Sequence, residues 1–239
     1  MSLPILECPE YKCKLPITGT EVTYRPFKVK EQKILLLAAT NEEASKQTLN
    51  DIVDSLSGVL KACTFNKVDI NNLCSIDFEY LFIKIKSAAR GSIEPQLYTC
   101  KSKDSTGKIC GQDIELDIDF DEIKLNGKIQ DNNIKISDDL MIVTKMPTFK
   151  MLKEIEDTKD ELDIVASLID IIIYKGESFT DFTKEEAADF IEQFTEDQIA
   201  PLAKYFKEIP ELSYKKKIKC NKCGTVHDIE VKGLQNFFE

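Results

Sequence analysis

Apolar residues in this chain change their spacing three times. Leu49, Ile52, Val53, Leu56, Val59, Leu60 and Cys63 recur at intervals of three and four, which draws one buried stripe on a helix. Thr40 and Glu43 have the spacing of a capping box and predict that this helix opens at Thr40. The preceding run, Ile34-Leu35-Leu36-Leu37-Ala38-Ala39, is too short for periodicity to separate helix from strand; we read it as helix. Ser75 to Ala89 carries Ile76, Phe78, Leu81, Phe82, Ile83 and Ile85 on a wide face and is stopped near Gly91. The first 30 residues, interrupted by Pro4, Pro9 and Pro16, are expected to be extended, with Glu21 to Tyr24 as an arm or edge strand.

After Ser92 the period drops to two. Gln96 to Thr99 and Ile114 to Phe120 alternate as half-buried strands do, and Ile134 to Ile136 and Leu140 to Thr144 follow between Gly127 and Asn132-Asn133. Residues 96 to 145 thus predict a small antiparallel sheet. Helical spacing returns after Pro147: Leu162, Val165, Leu168, Ile169, Ile172 and Ile173 predict a helix that ends near Gly176. Thr183 with Glu186, and Thr195 with Gln198, are capping boxes opening two more helices. The chain then predicts two strands, Ile218 to Cys220 and Val226 to Val231, around Cys220-Asn221-Lys222-Cys223-Gly224.

Charge and composition remove several function classes. The 32 Lys+Arg against 42 Asp+Glu give a net charge of −10, which disfavours nucleic acid and anionic lipid as partners. Ile164 to Tyr174 is the longest strongly apolar stretch, interrupted by Asp170 and far short of a membrane span. With no secretory signal at the start, the cytoplasm is the expected compartment. A single histidine, His227, leaves little general acid–base chemistry, and no nucleophile elbow, phosphate loop or zinc-protease motif occurs. No enzyme and no small-molecule substrate are expected.

Eight cysteines in a cytoplasmic chain point to thiols or metal ligands. Cys220-x-x-Cys223-Gly224 has the spacing at which a tight turn aims two thiolates at one ion. The best second pair is Cys100 and Cys110, because Cys110 is likewise followed by a glycine, Gly111, and the pair lies between two predicted strands. Four thiolates would close a tetrahedral structural zinc site with no open position for catalysis. The competing reading makes Cys100 and Cys110 ordinary sheet cysteines beside a free or redox-active terminal pair. Cys63 and Cys74 are expected to be buried small hydrophobes, and Cys8 with Cys13 forms a weak metal pair. His227, four residues after Cys223, is an alternative ligand by spacing, but as a strand residue it is expected to face away from the knuckle. Lys215, Lys216, Lys217, Lys219 and Lys222 leave a zinc-ribbon nucleic-acid factor as the alternative, against a solvated, lysine-protected edge strand.

Several runs resemble a phage family. Leu15-Pro16-Ile17-Thr18-Gly19 with Tyr24-Arg25-Pro26-Phe27-Lys28-Val29-Lys30-Glu31-Gln32-Lys33-Ile34-Leu35-Leu36, and Asp77-Phe78-Glu79-Tyr80-Leu81-Phe82, are similar to sequences of the baseplate hub assembly proteins of T-even-type contractile-tailed bacteriophages. The cysteine knuckle and Gly233-Leu234-Gln235-Asn236-Phe237-Phe238 resemble that family's end. The resemblance implies a non-enzymatic late protein of tail assembly that acts on other baseplate hub or tail proteins, present in the virion tail baseplate or only during assembly. Tyr24, Arg25, Pro26, Phe27, Leu234, Phe237 and Phe238 are the candidate contacts, since aromatic and arginine anchors dominate interfaces; core packing competes for each. The resemblance does not settle whether zinc is bound.

The expected fold class is α+β: a helical N-terminal part, a small antiparallel sheet, a helical insertion, and a zinc-ribbon-like pairing of two cysteine knuckles. The expected segments are 1–95, 96–147, 148–213 and 214–239, with 96–239 as one folded unit.

Overall fold

A computed structural model describes residues 6–40, 49–103, 106–151 and 160–233. It is a mixed α and β protein with small antiparallel sheets. The chain divides into two compact units: Met1–Val68, Glu79–Asn126 and Glu211–Glu239 in the first, Asp69–Phe78 and Gly127–Pro210 in the second.

The first unit opens with a hairpin of β1 (Tyr11–Lys14) and β2 (Glu21–Tyr24), followed by α1 (Val29–Thr40) and α2 (Leu49–Cys63). The apolar run before Thr40 is thus helical as expected. Thr40 is the last residue of α1 and not the start of the next helix, and Glu43 lies outside the described residues. Leu56, Val59, Leu60 and Cys63 of α2 are buried along the predicted stripe. The helix α3 (Ser75–Arg90) runs to Gly91, whose N–H bonds back to Ser87 O at 2.8 Å. The division between the units falls within α3, after Phe78.

Two long hairpins complete this unit. The strands β3 (Ile93–Thr99) and β4 (Asp113–Asp119) pair antiparallel, and β5 (Lys124–Asn126) follows. At the far end of the chain β10 (Glu211–Lys219) pairs with β11 (Val226–Lys232), and Glu211 to Ser213 also pair with β5. The buried Tyr214 side chain of β10 donates to Asp117 O of β4 at 2.9 Å, tying one hairpin to the other.

In the second unit β6 (Asn133–Lys135), β7 (Leu140–Thr144), β8 (Ile169–Tyr174) and β9 (Glu177–Phe179) form one antiparallel sheet in that order. Its core of Ile134, Leu140, Ile142, Ile169 and Ile172 is covered by Ala166 of α4 (Glu161–Ser167), Ala187 and Ile191 of α5 (Lys184–Ile191), and Leu202 and Tyr205 of α6 (Glu196–Lys207). Thr183 and Glu186 make both bonds of the predicted capping box at α5. At α6 the Thr195 N–H bonds to Gln198 Oε1 at 2.9 Å.

Two further sequence expectations are corrected. The strands between residues 96 and 145 do not form one sheet: among the described residues β3 and β4 pair only with each other, while β6 and β7 join the sheet of the second unit. A two-residue period reports burial on one face, not which strand lies alongside. The predicted helix from Leu162 to Ile173 ends at Ser167, and the isoleucines from Ile169 onward form β8. Four β-branched residues in five positions fit a pleated strand better than a helix. Gly176, read as a helix stop, is with Lys175 the two-residue turn between β8 and β9. Both have positive φ, +52° and +84°, as such hairpin turns require.

Candidate metal centre

The two knuckles are built alike from backbone hydrogen bonds. Cys100 N–H donates to Gln112 O at 2.8 Å, and Cys220 N–H donates to Thr225 O at 2.8 Å. Gly111 N–H returns to Cys100 O at 3.1 Å, and Gly224 N–H to Cys220 O at 2.9 Å. Each acceptor or donor occupies the equivalent place after the second cysteine of its pair. The curl needs φ of +65° at Gly111 and +74° at Gly224, a region where a side chain is strained. The longer first loop is pinched at its base, where Cys110 N–H reaches Ser102 O at 2.8 Å and Lys103 bridges to Ile109. That closure brings two cysteines ten residues apart to the same relative position as the x-x pair.

The four sulfurs of Cys100, Cys110, Cys220 and Cys223 all lie within 4.8 Å of one another. Cys100 Sγ is 3.6 Å from Cys223 Sγ, and Cys110 Sγ is 3.8 Å from Cys220 Sγ. An ion holding four sulfurs at about 2.3 Å in a tetrahedron sets sulfur pairs about 3.8 Å apart. A disulfide needs about 2.05 Å, and all eight cysteines are free thiols. The donor set and its edges therefore fit a tetrahedral thiophilic ion.

Cys100 and Cys220 are buried, Cys110 is half-buried and Cys223 is exposed. Hydrogen bonding to the Thr225 side chain and backbone, then to Cys220 and Cys100, lowers the Cys223 thiol to about 6. At Cys110 the Gln112 backbone pulls the other way but is outweighed by desolvation and by the three neighbouring cysteines, which push it up to about 11. The Cys223 proton thus leaves well before the Cys110 proton, and a cation would have to displace the latter.

Around the sulfurs stands a shell that sequence reading missed. His227 Nε2 lies 3.2 Å from Cys100 Sγ, so this ring faces the knuckle, contrary to expectation. It also packs against Tyr98, with ring centroids 5.2 Å apart. Ser102 Oγ is 3.4 Å from both Cys100 Sγ and His227 Nε2, and Lys222 Nζ donates to Cys110 O at 3.0 Å. The signal for His227 was its place on β11, an even number of residues from the buried Val231 and hence on the same inward face.

The remaining candidates fall elsewhere. Tyr24, Arg25 and Pro26 are buried and Phe27 is half-buried, its ring 5.8 Å from that of Phe82. Arg25 forms a forked ion pair with the buried Glu31, at 3.0 and 3.4 Å, and also donates to Pro26 O. Burial would raise the Glu31 carboxyl, but Arg25 and the Lys28 N–H hold it below its ordinary value. The segment thus serves the protein's own packing. Leu234, Phe237 and Phe238 lie outside the described residues. Cys63 and Cys74 are buried, and Cys8 and Cys13 are half-buried. In the lysine cluster, Lys215 pairs with Glu230 at 3.0 Å and Lys217 with Asp228 at 3.3 Å across the hairpin.

A family model described as T4 bacteriophage base plate protein matches residues 8–239. The chain belongs to that family. Neither the curated proteins nor the solved structures include a significant match to it. As a member of the T4 base plate family the chain is a structural protein of a phage tail, and its membership implies interaction with other tail proteins. Among the described residues no helix is long and apolar enough to cross a membrane.

Proposed function

We propose that this T4-type baseplate protein works in the central hub, as a non-enzymatic assembly or structural adaptor made rigid by one structural zinc ion. Cys100, Cys110, Cys220 and Cys223 are its ligands, and the observation that carries the clamp is the sulfur quartet with edges of 3.6 and 3.8 Å. Zinc there neutralises thiolate charge and joins positions more than 100 residues apart. It contributes on the order of 10 kcal/mol of apparent binding free energy, comparable to the stability of a whole domain. Four protein ligands leave no coordination position for substrate, so the ion supplies structure and not Lewis-acid chemistry. The two knuckle hairpins form a zinc ribbon, and the protein assembles with hub or tail partners in the host cytoplasm, using no small-molecule substrate. Leu234, Phe237 and Phe238 remain its C-terminal contact residues under this reading.

Mass spectrometry of hub intermediates and finished tails, from cells infected with phage carrying or lacking this gene, tests the role. The expected result is the chain bound to hub proteins and a block in hub assembly without it. Normal baseplates in its absence would contradict the reading. Salt-sensitive DNA binding that disappears when Lys215, Lys216 and Lys217 are changed to Ala would replace it with a nucleic-acid-binding role.

A further inference from the structure

The outward face of the β3–β4 hairpin is unlike that of the β10–β11 hairpin beside it. Along β3, Ile93 is 56% exposed and Leu97 73% exposed, with Pro95, also exposed, between them. Across the hairpin the register sets Ile93 opposite Asp119, Pro95 opposite Asp117, Leu97 opposite Glu115 and Thr99 opposite Asp113. Residues opposite one another in an antiparallel pair share a face. One face therefore carries an apolar row and, alongside it, an acidic row of Asp113, Glu115 and Asp117, all exposed.

On the β10–β11 hairpin two lysines of the outward row meet an acid across the strands: Lys215 meets Glu230 and Lys217 meets Asp228. On the β3–β4 face no ion pair engages Asp113, Glu115 or Asp117 among the described residues. Asp113 accepts a hydrogen bond from the Thr99 hydroxyl at 2.7 Å, and Asp117 is engaged through its backbone oxygen. Glu94, the β3 acid that points the other way, is satisfied by Lys86 at 3.3 Å. The one inward-facing charge on this hairpin is thus ion-paired, whereas the outward row of Asp113, Glu115 and Asp117 has no ion pair among the described residues.

We propose that this face is the surface by which the protein docks a different tail protein, one presenting an apolar strip bordered by lysine or arginine. The inference rests on the baseplate reading. The apolar row supplies the contact area, and the acidic row supplies steering and register. A second copy is disfavoured as the occupant, since it would bring another −10 of charge and the same acids to the interface. Nucleic acid is disfavoured by the sign of the face. Pro95, with no N–H to offer, keeps β3 from being extended by an added strand at its centre, so recognition is by side chains.

The test places a photo-crosslinking amino acid at position 97 of the full chain and co-expresses it with each other tail protein of the same phage, one at a time. The expected result is a cross-link to one of them, at a segment with lysine or arginine beside apolar residues. Leu97→Ser should then weaken binding of that purified partner at least tenfold. Glu115→Lys with Asp117→Lys should do the same at low salt, with the deficit narrowing at 0.5 M salt. All three positions are exposed, and unchanged circular dichroism would show that folding is intact. Overturning results are cross-links only to a second copy, cross-links only to residues 234–239 of the same chain, no cross-link to any tail protein, or variants that bind like the wild type. If infected cells show the protein acting outside the tail while position 97 still captures a basic, apolar segment, the baseplate reading falls and the surface stands.

Discussion

The unit that holds the cysteines and the unit that holds the four-stranded sheet bury their residues in different ways. In the second, sheet residues from β6, β7 and β8 meet three helices in one cluster, with Ile142, Ala187 and Leu202 fully buried. In the first, every residue of β3 is exposed or half-buried, and of the seven residues of β4 only Leu116 and Ile118 are buried. A two-stranded hairpin with so little apolar cover is marginal on its own. The comparison teaches where a metal is worth most: at hairpins whose own core is too thin, and not at the sheet that three helices already cover.

The largest expected effect breaks the comparison directly. Changing Cys220 and Cys223 together to Ser, or adding a strong chelator, should expose the amides of β3, β4, β10 and β11 to hydrogen exchange while β7 and β8 stay protected. The loss is on the order of 10 kcal/mol for the first unit. Equal loss in both units, or none in either, would contradict the division.

The next effect lies inside the first unit but away from the sulfurs. Glu31→Ala leaves the Arg25 guanidinium buried without its partner, and a denaturant titration should show a loss of about 3 to 5 kcal/mol. A loss below 1 kcal/mol would contradict a structural role for this pair.

A third, smaller effect depends on pH. Among the described residues Glu79 Oε1 is buried without a hydrogen-bond partner, and burial, then the nearby Glu211, raises its pKa to about 7. The unfolded chain ionises near the ordinary carboxyl value of 4.5, so between that and about 7 the native state holds the extra proton. Stability from this group is thus greatest at low pH, falls as pH rises through that window, and is flat above it. Glu79→Gln should remove the slope and raise stability at pH 8 by up to about 3 kcal/mol; an unchanged slope in urea titrations across pH 5 to 8 would refute the assignment. The smallest effect belongs to the second unit: Thr183→Ala removes one half of a capping box at α5 and should cost about 1 kcal/mol, with the metal content unchanged.

Much of this was legible in the sequence where one residue type has one use. Glycine directly after Cys110 and Cys223 marked both knuckles, and Thr183 with Glu186 marked a helix start. Ile169 to Ile173 misled because Ile169, Ile172 and Ile173 continue the helical spacing of Leu162 to Leu168, while a nearly continuous isoleucine run suits a buried strand equally well, and only the turn at Lys175-Gly176 decides between them. β5 has three residues and no pattern to read; it exists because Glu211 to Ser213 lie beside it. His227 was misplaced because a ligand motif fixes the sulfurs and says little about which neighbours close round them. Tyr24-Arg25-Pro26-Phe27 looked like an anchor because arginine and aromatics suit interfaces, yet the same chemistry suits a buried ion pair when Glu31 stands in the first turn of α1.

X-ray absorption at the zinc edge of protein purified without chelators tests the central claim most directly. One zinc per chain with four sulfur neighbours at about 2.3 Å is the predicted result. Zinc in trace amounts, or a first coordination layer in which nitrogen or oxygen replaces two of the sulfurs, would contradict it.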